Sequence, residues 1–251
     1  MSIPRNVMLN PTMGVSFPAR INNVWQVVEC MLRQSVHADK IILWLSKDQF
    51  PSEESIPFSL KERIGDTFEI RIVSGDIRSH KKYYYAAKEF LDDMLFLIDD
   101  DIYYPNDILE RSLRAFRQHP HSVICSYGSH IIADSKNQNA NYDLWKSEYS
   151  NSEADDLFFG SGGGTLFIPS TLFKDLTNIC LALRLTPTAD DIWLNAMCKL
   201  NRIHYIMLAH GEILTIDNHN SPALSKINNG MKQNNVQIKN VESYYKQKIF
   251  K

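Results

Sequence analysis

Apolar strands and amphipathic helices alternate regularly through the first half of this 251-residue chain. Short apolar runs predict strands at 7–9, 40–45 and 94–98, and alternation with period two predicts one at 68–73. The polar, Pro- and Gly-containing stretch 10–20 predicts a loop. Between the strands, apolar residues recur at helical spacing, which predicts helices at about 24–35, 60–64, 81–90 and 107–118. Such alternation is typical of βαβ units, so the expected fold class is α/β with a mostly parallel central sheet flanked by helices.

The second half is less regular. It predicts a strand at 123–132, a polar loop over 133–152, a glycine loop that leads into a strand near 165, and a helix that begins at 188–191. A strand at 203–208 and a last helix at 236–250 complete the chain. Since there is no internal repeat and no clear linker, a single domain over residues 1–251 is expected.

Composition excludes several classes of protein. The net charge of -2 lacks the basic field of nucleic-acid-binding proteins, so no nucleic-acid partner is expected. The four cysteines form no C-x-x-C pair. Residues 1–6 lack the apolar region of a signal peptide and no apolar run reaches the length of a membrane span, so neither feature is expected. A cytoplasmic protein is expected, and these patterns leave peripheral contact with a membrane open.

Three carboxylates, Asp99, Asp100 and Asp101, directly follow the apolar run at 94–98. In an open α/β sheet, the carboxyl ends of the strands are where ligands bind. Because clustered carboxylates are costly to remove from water, this acidic triplet needs a cation or open solvent. One hypothesis is a divalent metal held by Asp99 and Asp101, and for the motif alone a solvated acidic turn is an equal alternative.

A polar segment precedes that strand and fits a nucleotide. Asp76 ends the third predicted strand, where its carboxylate could accept hydrogen bonds from a base or ribose. Arg78 and Lys82 follow, and both side chains suit phosphate oxygens. The alternatives are a plain turn residue for Asp76 and a solvated helix start for the two cations.

The acidic pair Asp190 and Asp191 opens a predicted helix with Thr188 as its expected N-cap, which puts Asp191 at the third helical position. Carboxylates in a first turn complement the helix dipole, and this explains the pair as well as a catalytic role does. The functional alternative is a general base that takes a proton from an acceptor hydroxyl.

Two further features are ambiguous. The glycine-rich run at 160–164 precedes a strand rather than a helix and does not match G-x-G-x-x-G, so it predicts either close approach to a substrate or simple loop flexibility. His219 follows the last predicted strand, where its imidazole could complete a metal site or lie at the surface.

Taken in order, these motifs resemble bacterial glycosyltransferases of the GT-A fold, a Rossmann-type fold, and in particular the sugar transferases of capsule and cell-surface polysaccharide synthesis. The segments that carry the resemblance lie between residues 16 and 195. They are Ser16-Phe17-Pro18-Ala19-Arg20-Ile21, Ile42-Leu43-Trp44-Leu45-Ser46, Gln49-Phe50-Pro51, Asp76-Ile77-Arg78-Ser79-His80-Lys81-Lys82, Asp99-Asp100-Asp101-Ile102-Tyr103-Tyr104-Pro105 and Thr188-Ala189-Asp190-Asp191-Ile192-Trp193.

The resemblance implies transfer of a sugar from a nucleotide-sugar donor, UDP-linked by fold analogy, to a glycan or lipid-linked saccharide acceptor, with inversion. It divides the chain into a nucleotide-binding half (1–125), an acceptor-binding half (126–220) and a helical tail (221–251). It also implies a D-x-D site for Mn²⁺ or Mg²⁺. By this analogy the metal ligands are Asp99, Asp101 and His219; the donor contacts are Pro18, Arg20, Asp76, Arg78, Lys82, Asp99 and Asp100; the base is Asp191, with Asp190 as second choice; and the acceptor contacts are Gly162, Gly163 and Trp193.

Three other functions remain to be weighed. A phosphohydrolase of the haloacid dehalogenase type would use Asp99 and Asp101 as nucleophile and acid, but that motif normally follows the first strand. A nucleotidyltransferase would need a glycine-rich basic loop after the first strand, which this chain lacks. A non-catalytic sugar-nucleotide-binding module is the third. The Lys-rich tail predicts either a basic amphipathic helix on the inner face of the cell membrane or a solvated helix packed on the domain.

Overall fold

The computed structural model describes residues 7–14, 18–133, 140–211, 213–216 and 233–251. The strands are β1 (Leu9–Gly14), β2 (Ile41–Ser46), β3 (Phe68–Val73), β4 (Met94–Ile98), β5 (Val123–Cys125), β6 (Gly128–His130), β7 (Lys146–Glu148), β8 (Ser152–Glu153), β9 (Leu157–Phe159), β10 (Gly163–Phe167) and β11 (Tyr205–Met207). The helices are α1 (Val24–Leu32), α2 (Phe58–Lys61), α3 (Lys81–Glu89), α4 (Ile108–Gln118), α5 (Ile179–Leu185), α6 (Asp190–Leu200) and α7 (Gln233–Tyr245).

Eight of these strands form the central sheet, in the order β3-β2-β1-β4-β10-β5-β11-β8. The first four run parallel, β10 is antiparallel to both of its neighbours, and β11 is again parallel to β5. The expected α/β fold with a mostly parallel sheet is therefore confirmed. A small antiparallel sheet, β7-β6-β9, lies in the second half of the chain.

Both faces of the inner strands β2 and β4 are buried, which explains their continuous apolar sequences. Along β4, Leu95 and Leu97 belong to one hydrophobic cluster, while Phe96 and Ile98 belong to the other. Side chains alternate between the faces of a strand, so one apolar run supplies two core layers. Helices α1 and α4 cover the face of Phe96, and α3, α5 and α6 cover the opposite face.

The first strand departs from the prediction. It spans Leu9–Gly14, whereas the sequence predicts a strand at 7–9 and a loop from residue 10. Asn10 and Pro11 disfavour a strand by local propensity, but β1 lies between β2 and β4 and is buried throughout. The Thr12 hydroxyl donates to the Lys82 carbonyl (2.9 Å) and accepts from the Trp44 indole N–H (2.8 Å), so tertiary contacts satisfy this polar residue.

Other differences fall in the second half. The strand predicted at 123–132 is two strands, β5 and β6, which join different sheets. The predicted loop at 133–152 includes β7 and the first residue of β8, and helix α5 was not predicted. These short elements lack a clear period because they are held by distant partners rather than by local propensity.

The C-terminal helix α7 packs against the domain. Ile238 and Val241 are buried in the same cluster as α6, and Gln237 bonds to Thr188. This packing supports the interpretation of the tail as a solvated helix on the domain. In the described part of the chain, no helix combines the length and the apolar character needed to cross a membrane.

Candidate active site

The two acidic clusters meet at the carboxyl end of β4. The acidic triplet leaves β4, and the loop that enters the antiparallel neighbour β10 lies beside it, with Gly163 opposite Ile98. The start of α6 brings the acidic pair to the same loop, where Ser161 bonds to Asp190 and Asp191. Residues about 90 positions apart in the sequence therefore form one site, as the hypothesis requires.

Gly162 sits directly against Asp99. A Cβ at position 162 would lie 1.9 Å from the carboxyl carbon of Asp99, whereas real Cβ atoms essentially never lie within 3.0 Å of another heavy atom. The Gly162 carbonyl accepts the Asp99 N–H (3.1 Å) and the Tyr104 hydroxyl, and Tyr104 also accepts the Asp99 N–H (2.8 Å). A residue without a side chain allows this close approach to Asp99, and the predicted contact of Gly162 with an acceptor stays a prediction.

Within the triplet, the side chains divide by accessibility. The side chains of Asp99 and Asp101 are 39% and 23% exposed, whereas that of Asp100 is 5% exposed. The Arg20 guanidinium holds Asp100 (2.9 Å) and Asp101 (2.7 Å). Asp99 and Asp101 are therefore partly accessible, which the predicted D-x-D site requires, and Asp100 is buried.

Lys82 is a buried cation rather than a solvated helix residue. Its ammonium lies 2.5 Å from Asp99, 3.3 Å from Asp190 and 3.1 Å from the Ser161 hydroxyl. Burial alone lowers the pKa of a lysine, but the nearby Asp190 and Asp99 outweigh it and raise the pKa of Lys82. Lys82 is thus charged, and it connects the acidic triplet to the acidic pair.

The environments of Asp190 and Asp191 push their pKa values apart. Burial favours the neutral form of Asp190, but the Lys82 ammonium, His80 and Ser161 lower its pKa overall. Burial and the adjacent Asp190 charge raise the pKa of Asp191 to about 7. Asp190 is also buried, while Asp191 keeps part of its surface. This division gives an anchoring anion at Asp190 and a candidate base at Asp191.

The charge balance of the site suits a bound cation. The triplet and the pair contribute five carboxylates, and in the described part of the chain their salt bridges come from two cations, Arg20 and Lys82. Burial and the neighbouring Asp99 raise the pKa of Asp101, and burial raises the pKa of Asp100 to about 7. Carboxylate oxygens are the ligands that Mg²⁺ and Mn²⁺ prefer, and a bound cation would relieve the repulsion among these carboxylates.

A complete metal site is not formed by the described residues, among which no three His, Cys, Asp or Glu side chains are arranged to hold a metal ion. His219, the predicted third ligand, lies outside the described residues. Asp99 and Asp101 fit the metal by charge and exposure, and the third ligand stays a prediction.

The predicted nucleotide segment lies at the carboxyl end of β3. Asp76 accepts hydrogen bonds from the Arg78 N–H (2.9 Å), the Gln49 amide (3.1 Å) and the Lys81 ammonium. Arg78 is exposed and has a left-handed backbone (φ 54°), which the Asp76 contact supports. Pro18 is also exposed. Contacts of these residues with a donor stay predictions.

Two predictions about α6 are wrong. Trp193 is fully buried and its indole N–H donates to the Leu176 carbonyl (3.1 Å), so it belongs to the core and has no surface for an acceptor. Thr188 is not the N-cap, since α6 begins after Ala189 and puts Asp191 at the second helical position. Helical spacing did not show which side of α6 faces the core, because nearly the whole helix is buried.

A family model for the glycosyl transferase family 64 domain matches residues 12–167, more than half of the chain. The chain belongs to this glycosyltransferase family. The match contains the acidic triplet and the glycine loop, and it ends before the acidic pair. No curated protein matches significantly.

Solved structures offer distant likenesses to this family 64 chain. One is 4-diphosphocytidyl-2C-methyl-D-erythritol synthase from Anaerococcus prevotii (11% identity, TM-score 0.48, 82% of this chain and 88% of that one). Others are a second 4-diphosphocytidyl-2C-methyl-D-erythritol synthase (12%, 0.46, 84% and 94%) and HddC from Yersinia pseudotuberculosis (11%, 0.41, 65% and 77%). These likenesses are too weak to indicate a function.

Sequence reasoning missed two residues of this glycosyltransferase site. Ser161 bonds to both members of the acidic pair, and the Tyr104 hydroxyl accepts the backbone N–H of Asp99. Tyr104 belongs to the motif at residues 99–105, but nothing in the sequence indicates that its hydroxyl bonds to Asp99. Ser161 lies in the glycine-rich run at 160–164, whose sequence is equally consistent with a flexible loop.

Gly163, the other glycine predicted to contact an acceptor, lies against the protein. A Cβ there would lie 2.4 Å from the Cβ of Tyr127. Gly163 therefore packs against Tyr127, and its contact with an acceptor stays a prediction.

Proposed function

We propose that this glycosyltransferase is metal-dependent and moves a sugar from a UDP-linked donor to a saccharide or lipid-linked saccharide acceptor in cell-surface polysaccharide synthesis. The observation that carries the proposal is the meeting of the acidic triplet and the acidic pair around Lys82. One cluster suits a metal and a diphosphate, and the other supplies a base.

On the donor side, Asp99 and Asp101 would hold Mn²⁺ or Mg²⁺, with His219 as the proposed third ligand. When bound, such an ion neutralises the charge that builds on a departing diphosphate. Arg20 orients Asp101 through a 2.7 Å contact and keeps Asp100 turned inward. Arg78 is exposed and donates to the Pro187 carbonyl (3.4 Å), three residues before Asp190, and it is the residue that we propose contacts the phosphates.

On the acceptor side, Asp191 takes the proton of the attacking hydroxyl. The hydroxyl oxygen forms a bond to the anomeric carbon, and the bond from that carbon to the diphosphate oxygen breaks with its electron pair leaving on the diphosphate. A base is most effective when its pKa is close to the working pH, and the pKa of about 7 for Asp191 meets this condition. Direct attack of this kind inverts the anomeric configuration, so a product of retained configuration would contradict the role of Asp191 as base.

A thermal-shift panel tests the donor class. The purified protein is heated with nucleotides and sugar nucleotides, with and without Mn²⁺, and the Asp101→Asn variant serves as control. We expect a rise in Tm for UDP compounds only when metal is present, and a much smaller rise in the variant, since a bound ligand stabilises the folded state by mass action. If no nucleotide shifts the Tm of the wild-type protein, the proposal fails.

Two activity assays separate this proposal from its rivals. Metal-dependent release of UDP from a sugar nucleotide without acceptor would exclude a purely binding module. A generic phosphate ester tests the phosphohydrolase, which the order of strands disfavours because Asp99 follows β4 rather than the first strand. Hydrolysis of that ester at a rate above that of the sugar nucleotide would favour the phosphohydrolase.

A further inference from the structure

The loop at Ser161–Gly162 touches both halves of the proposed active site. The Ser161 hydroxyl donates to Asp190 (2.7 Å), and its backbone N–H donates to Asp191 (3.0 Å). The next residue, Gly162, accepts the backbone N–H of Asp99 (3.1 Å). Two consecutive residues therefore bond to the backbone of the donor-side Asp99 and to both acceptor-side carboxylates.

Lys82 makes the same connection through its side chain. Its ammonium contacts Asp99 and Asp190, and it donates to the Ser161 hydroxyl at 3.1 Å. That hydroxyl thus accepts from Lys82 while it donates to Asp190, so it uses its single donor on one partner and a lone pair on the other. Ser161 is fully buried, and water does not compete for these bonds.

This arrangement fixes the distance between metal ligand and base. A charged lysine between two carboxylates holds both in place, and hydrogen bonds to charged groups are stronger than those between neutral groups. The Ser161 hydroxyl ties the loop to the anchoring anion, and the same residue presents its N–H to Asp191. A shift of this loop would therefore move Asp191 relative to the donor.

We propose that Ser161 and Lys82 are positioning residues, which set the place of Asp191 relative to the metal-binding carboxylates without touching substrate themselves. The proposal rests on the proposed function for the role of Asp191. It reassigns Lys82 from a phosphate ligand to a bridge inside the protein. In this proposal the glycine-rich loop connects the two acidic clusters, since Gly162 allows contact with Asp99 while Ser161 bonds to the acidic pair.

Ser161→Ala tests the proposal, because it removes the hydroxyl and keeps the backbone N–H. The matched control is Thr165→Val, which removes another buried hydroxyl whose bond to the Gly160 carbonyl (3.3 Å) belongs to the same loop but not to a carboxylate. We expect Ser161→Ala to lower kcat by about 10- to 100-fold with donor KM unchanged, as misplacement of a catalytic group does. Thr165→Val should keep the wild-type kcat.

Amide hydrogen exchange gives a readout that does not depend on turnover. The residue 161 amide should exchange faster in Ser161→Ala than in the wild type, and Thr165→Val should leave it unchanged. If the wild-type protein transfers no sugar, the proposed function fails while exchange still tests the positioning. Wild-type kcat in Ser161→Ala, equal losses of kcat in both variants, or unchanged exchange at residue 161 would each overturn the positioning role.

Discussion

Substitution of Gly162 by alanine is the most direct test of the site geometry. The added Cβ would lie 1.9 Å from the carboxyl carbon of Asp99 and about equally near its two oxygens, whereas real Cβ contacts below 3.0 Å are essentially absent. Either the loop or the Asp99 carboxylate must therefore move by at least about 1 Å, a distance at which misplacement of catalytic groups costs about 100-fold in rate.

The expected loss is accordingly about 100-fold in kcat/KM, which corresponds to about 2.7 kcal/mol of transition-state stabilisation. The movement also disturbs the 2.5 Å contact between Asp99 and Lys82, so both halves of the site are affected. The loss should appear in sugar transfer and in metal-dependent hydrolysis of the donor without acceptor. Calorimetry should show weakened Mn²⁺ binding, because the shifted carboxylate is a proposed metal ligand.

Gly65→Ala is the matched control, because a Cβ at position 65 meets nothing within 4 Å. It should keep wild-type activity, metal binding and Tm. If Gly162→Ala binds Mn²⁺ and turns over like this control, the close approach between Gly162 and Asp99 does not matter for the site. The inference that Gly162 positions Asp99 for metal binding would then be refuted.

Three further predictions follow from the site and its surroundings. Asp191→Asn should lower kcat by about 10²- to 10⁴-fold without lowering Tm. The wild-type rate should rise with pH through about 7, because the base acts in its deprotonated form. A variant that keeps the wild-type rate and this pH dependence would exclude Asp191 as base. Trp193→Phe should lower Tm by a few degrees, because it removes the bond from the Trp193 indole N–H to Leu176 in the core, and it should leave acceptor KM unchanged. A raised acceptor KM at unchanged Tm would contradict the placement of Trp193 in the core. Hydrogen bonding to Glu148 raises the pKa of His130 above 6.5, so the stability that this bond contributes is present below pH 6.5 and is lost as pH rises through the raised pKa. Tm should therefore fall slightly over that pH range in the wild type, and less in His130→Gln. An equal fall of Tm in both proteins would show that His130 is not responsible.

Much of the first half of the fold could be predicted because each element there has a strong local signal. The limits of β3 and β4 agree with the prediction, and α1 and α3 begin where their periodicity begins. Strand β1 could not be predicted, because its polar residues and Pro11 are stabilised by neighbours that are distant in sequence. The small sheet of β6, β7 and β9 escaped prediction for the same reason, since its short strands depend on pairing with one another.

The chemistry of the site divides in a similar way. The sequence alone determined that a buried strand ends in three carboxylates and that a second acidic pair opens a helix, because these are local patterns. Only the tertiary structure brought the two clusters to one sheet edge, through the antiparallel insertion of β10 beside β4. It also decided that Lys82 lies buried between them and that Trp193 lies in the core. Side-chain type and spacing set which groups are present, but pKa values, pairing and accessibility depend on distances between residues that sequence order does not contain.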